Sequence, residues 1–93
     1  MKNILLIITF VLLGATTASA ECFADYKAKQ DDPLRLQYGV AEINGSCTVS
    51  DATSELEGRL ASAGWQLLEV LGTFDQSGAE SRRANAGEFY LRY

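Results

Sequence analysis

The stretch CFADYKAKQDDPLRLQYGV, Cys22 to Val40, alternates twice. Cys22, Ala24, Tyr26 and Ala28 share one parity, against Asp25, Lys27 and Lys29 on the other, with Phe23 the exception. Asp31-Asp32-Pro33 supplies turn chemistry. Leu34, Leu36, Tyr38 and Val40 then alternate with Arg35, Gln37 and Gly39. A period of two reads as a half-buried strand, so the stretch is a hairpin. Its two apolar sets share a face only if paired residue numbers sum to an even value. A three- or five-residue loop about Asp32 meets that condition and pairs Ala28 with Leu36, Tyr26 with Tyr38 and Ala24 with Val40. The turn signal Asn44-Gly45 brings Cys47 back towards Cys22. The formal glycosylation sequon Asn44-Gly45-Ser46 reads as the same ordinary turn.

Beyond the hairpin the period changes to that of a helix. Ala52, Leu56, Leu60 and Ala63 form an apolar stripe, with Ser50 or Asp51 as cap, Glu55 and Arg59 as an i,i+4 pair, and Gly64 as a left-handed terminator. Trp65 to Phe74 then carries apolar residues on both parities, the mark of a central strand. The polar, glycine-containing run DQSGAESRRANAG, residues 75–87, reads as a loop, and GEFYLRY, residues 87–93, as a closing strand. The helical return makes the third strand parallel to the second, so placing it beside the first keeps every pairing antiparallel. These elements predict an α+β two-layer sandwich, ββαββ, with a four-stranded antiparallel sheet in the order 2-1-3-4 and one helix on one face.

Upstream of the hairpin, Lys2, the apolar block Ile4 to Leu13 and the small residues Ala18-Ser19-Ala20 have the form of an export signal, cleaved between Ala20 and Glu21. The block falls short of the ~20 apolar residues that span a bilayer. Glu21 before Cys22, and no Leu close upstream, leave no lipidation signal. After cleavage no stable membrane anchor is expected, residues 21–93 form one small domain, and the address is periplasmic or secreted. In an oxidising compartment the chain's two cysteines, Cys22 and Cys47, pair as a structural disulfide.

At AGWQLLEV, Ala63 to Val70, the chain resembles small bacterial domains of unknown function in which a short helix ends in Gly-Trp and runs into an apolar strand. YKAKQDDPLRLQYGVAEI, Tyr26 to Ile43, is similar to uncharacterised small exported proteins of alphaproteobacteria. The resemblance implies the fold and a bacterial periplasmic location, and transfers no activity.

Composition narrows the chemistry. There is no histidine, which removes the usual general base and the commonest metal ligand. With both cysteines oxidised no thiolate remains, so no catalytic, cofactor-binding or metal-binding residue is assigned. Asp75-Gln76-Ser77-Gly78 only faintly resembles a calcium loop, lacking its later acidic ligands. Net charge is −4, and Arg82-Arg83 is the one adjacent basic pair after the leader, so nucleic acid is not an expected partner. Two function classes remain. The first is a non-enzymatic binding or interaction module of the cell envelope. On parity, Leu68, Val70 and Phe74 cover the helix, leaving Leu67 and Leu71 on the open face near Phe23 as a surface for a protein partner or weak homodimer. Trp65 reads as packed core. The alternative is a carboxylate-dependent hydrolase drawing on Asp25, Asp31, Asp32, Glu42, Glu69 and Asp75.

Overall fold

The computed structural model describes residues 21–93. The leader read over residues 1–20, with its cleavage after Ala20, lies outside them. Strands β1 (Cys22–Gln30), β2 (Arg35–Ile43) and β3 (Gln66–Phe74) form an antiparallel sheet in the order β2-β1-β3, and helix α1 (Val49–Ser62) joins β2 to β3. The fold is α+β with three strands, and the expected fourth is absent among the described residues. Gly87–Phe89 instead forms a 3-10 turn, and Leu91 takes φ 58°, so the run cannot stay extended. The tail joins the sheet by one parallel bridge, Val40 to Tyr90, where the Leu91 N–H donates to the Val40 carbonyl at 2.8 Å. Aromatic contacts hold it: Phe89 meets Trp65 edge-on and stacks on Tyr93.

The hairpin register also differs from the expected one. Cys22 pairs with Ile43, Tyr26 with Gly39 and Ala28 with Gln37, about a loop over residues 31–34. The sum is odd, so Leu36, Tyr38 and Val40 turn away from the face that carries Tyr26. Packing explains the choice. A tyrosine ring needs room beside it, and Gly39 gives that room, while Ala41 opposite Ala24 lets α1 approach with Ala52, Leu56 and Leu60. Tyr26 is fully buried, and its hydroxyl donates to the Gln37 side-chain carbonyl.

Helix α1 is capped by Thr48, two or three residues before the expected caps Ser50 or Asp51. The Thr48 hydroxyl accepts from the Asp51 N–H at 3.1 Å, and Asp51 lies in the first turn where its charge suits the helix dipole. At the other end Gly64 (φ 85°) closes a Schellman motif: the Trp65 N–H reaches the Leu60 carbonyl at 2.9 Å, and the Gly64 N–H reaches that of Ala61 at 3.0 Å. Leu60 and Trp65 then pack together in the core. The Gly-Trp junction is thus a helix stop whose next residue is an apolar anchor.

Cys22 and Cys47 are disulfide-bonded, fastening the start of β1 to the loop after β2. Glu55 secures the same loop from α1. Its carboxylate accepts from the Asn44 and Gly45 N–H groups, each at 3.0 Å, and pairs with Arg59 at 2.7 Å. The Asn44 N–H foremost, opposed by partial burial and assisted by Gly45 and Arg59, holds this carboxyl below its ordinary 4.5. Stability from the ionised form is therefore full above about pH 4.5 and lost as pH falls through the lower folded value. Urea midpoints of wild type and Glu55→Gln should converge in acid and separate towards neutrality, with wild type the more stable. Curves that stay parallel at every pH would refute this role.

Candidate functional site

The sheet face opposite α1 is only half covered. Asp75 accepts from the Gly78 N–H at 2.9 Å and so caps α2 (Gln76–Ser81), which is followed by α3 (Arg83–Ala86). The run expected to be a loop is therefore largely helical. Its Ala79 and Ala86 pack with Phe23 and Val40, and Tyr38, Phe74 and Tyr90 flank that cluster.

Arg82, between the two helices, fixes them to the sheet. Its Nε lies 3.2 Å from Asp25 Oδ2, its guanidinium lies 4.0 Å from the centre of the Phe74 ring, and it donates to the Gly78 carbonyl at 2.8 Å. The Tyr38 hydroxyl donates to the same Asp25 oxygen at 3.0 Å. A buried carboxylate is costly unless paired and hydrogen-bonded, and Asp25 is both. Burial first, then the hydrogen bond to Asp25 and its charge, raise the Tyr38 pKa, so the phenol remains a donor. Beyond Tyr38 the helices no longer cover the face, and Lys29, paired with Asp31, lies across it between Leu36 and Gln66.

That open half holds a shallow groove of about 290 Å³, floored by Ala28 and Gln37 and bordered by Lys27, Leu36, Tyr38 and Leu68. Leu36 is 69% exposed and Leu68 49%. Lys27 and Glu69 are register partners across β1 and β3, so they share this face, and both are exposed. Among the described residues neither has an opposite charge within 4.0 Å. β3 shifts register twice, between the partners of Asp25 and Tyr26 and between those of Lys27 and Ala28; Leu68 is the extra residue at the second shift and so reaches the groove.

These shifts separate the residues expected to form a partner surface. Phe23 is 4% exposed and belongs to the cluster under α2 and α3. Val70 packs on the α1 side as expected, but Leu67 joins it there and Phe74 lies on the opposite side, so the expected sets are mixed. Leu71 is exposed, at the first shift. The groove residues Leu36 and Tyr38 were visible in sequence as an alternating apolar set, but only the correct register turns them to this face.

The carboxylates of the hydrolase alternative are dispersed. Asp25 is engaged as described, Asp31 pairs with Lys29 at 3.2 Å, Asp32 is in the hairpin loop, Glu42 is exposed near the end of β2, Glu69 faces Lys27 and Asp75 caps α2. Among the described residues, no three His, Cys, Asp or Glu side chains gather as a metal site would require, and no helix is long and apolar enough to cross a membrane. Comparison of the chain with family models, with curated proteins and with solved structures gives no match.

Proposed function

We propose that the protein is a small exported, non-enzymatic binding module of the cell envelope, periplasmic or secreted, that engages a protein partner through the open half of its sheet. One observation carries this reading: Leu36 and Leu68 stand exposed on one face beside Lys27 and Tyr38. Single exposed leucines are ordinary on a soluble surface, whereas contiguous apolar groups with a polar border mark contact sites. The groove is shallow and open, which suits a protein surface more than a small molecule, whose sites bury most of the ligand. The Cys22–Cys47 bond supports the compartment, since disulfides persist in oxidising surroundings. Position-specific photocrosslinking in the producing cell tests the reading. Benzoylphenylalanine at position 36 should give discrete protein adducts, and the same group at Ser54, exposed on α1, should give none. No adduct from position 36, or the same adducts from both positions, would refute it.

A further inference from the structure

We infer that the occupant of the open face is a second copy of this chain, held by reciprocal Lys27–Glu69 contacts; the inference rests on the reading of that face as a protein-binding surface. Lys27 and Glu69 stand side by side on β1 and β3, exposed and without an ion-pair partner within 4.0 Å among the described residues. An acidic partner would be repelled at Glu69, and a basic one at Lys27. The complement of this patch is one positive and one negative group at the same spacing in the opposite order, and a second copy turned about a two-fold axis supplies that arrangement. With the axis in the interface, parallel to the strands and between β1 and β3, each Lys27 lies over the Glu69 of the other copy. Leu68 is then enclosed against β1 of the other copy, while Leu36 and Tyr38, on β2, border the interface beside that copy's edge strand β3. Such an interface is isologous, so each contact is made twice. Each copy carries a net negative charge, which opposes the encounter, so the dimer is weak and salt raises its affinity until the two specific pairs are screened.

The symmetry provides a test that no structural role of these residues would reproduce. In Lys27→Glu the two copies bring only negative groups together, and in Glu69→Lys only positive ones. Each variant alone should dissociate at least about tenfold more readily than wild type, because like charges are juxtaposed twice. Mixed one to one, the variants are complementary at both contacts, and association should return towards the wild-type level. Sedimentation velocity of the purified protein, run over concentrations from micromolar to about millimolar with each variant and the mixture, reads all of this. Leu68→Ser should weaken the dimer while the circular dichroism spectrum is kept. A wild type that stays monomeric throughout, or a mixture no more associated than its components, overturns the inference. If position 36 still crosslinks to a different protein in that case, the protein-binding reading survives and only the self-association is lost.

Discussion

Replacing Gly39 with valine is expected to unfold the domain under conditions in which the wild type is fully folded. A Cβ at position 39 would lie 2.9 Å from Tyr26 Cε1 and closer still to the hydroxyl end of that ring. The ring cannot swing aside: Tyr26 has no exposed surface and its hydroxyl is held by Gln37. Burial, reinforced by the Tyr93 phenol and partly offset by Arg59, pushes its pKa up to about 12, so the side chain stays neutral across the ordinary pH range. Overpacking a core costs about 1–3 kcal/mol and sometimes more. Valine against an immobile ring belongs at the upper end. A domain this small has only about 3–5 kcal/mol from its core to lose. Urea denaturation followed by circular dichroism measures the effect. Gly72→Ala is the control, because a Cβ there meets nothing within 4 Å. A Gly39→Val variant as stable as wild type would mean that Tyr26 does not lie over position 39, and the hairpin register would fall with it.

The second large effect is expected from Cys22→Ser together with Cys47→Ser. The bond closes a loop with a sequence separation of 25, for which the chain-entropy account gives about 3.5 kcal/mol of destabilised unfolded state. Native disulfides of small domains generally contribute about 2–5 kcal/mol. The double variant should therefore be marginally folded at room temperature and unfolded at 37 °C, with folding recovered in a stabilising osmolyte. Wild type reduced under native conditions should shift in the same direction. An unchanged urea midpoint in both cases would show that Glu55, through its contacts with Asn44 and Gly45, is enough to hold the loop.

The parts of the fold legible in sequence are those where one local rule acts without competition. The strand from Cys22, with Cys22, Ala24, Tyr26 and Ala28 on the α1 face, the stripe at Ala52, Leu56 and Leu60, and the stop at Gly64 are present as read, although β1 is buried on both faces at Phe23 and Asp25 rather than half-buried throughout. The hairpin register was not legible, because the sequence pattern rewards large apolar residues sharing a face. The structure instead sets large against small, with Tyr26 over Gly39 and α1 close against Ala24 and Ala41. The set at Leu36, Tyr38 and Val40 serves a second face that the expected architecture left bare. Its cover came from a segment that looked like a loop, since Ala79 and Ala86 present only methyl groups to the sheet and every other residue there is polar or glycine, apart from Ala84. Their spacing of seven, with Arg82 between them, was the available helical signal. In β3 strict alternation fails where the register shifts, so parity placed Leu67 outward and Leu68 inward, the reverse of what is found. The candidate site inherits both errors: its position depends on register, which side-chain period alone does not fix.

The chain's one tryptophan stands where three parts of the molecule meet. Trp65 follows the helix stop at Gly64, lies 5.9 Å from the Arg35 guanidinium at the start of β2, and has the Phe89 ring of the tail edge-on at 5.8 Å. Its indole is buried, so in the folded protein its fluorescence is that of a dry, aromatic-lined environment. Detachment of the tail from β2 removes Phe89 and wets the ring while the three-stranded sheet is still paired, whereas loss of the sheet exposes it entirely. The molecule therefore carries a native optical probe that distinguishes tail release from global unfolding without any added label.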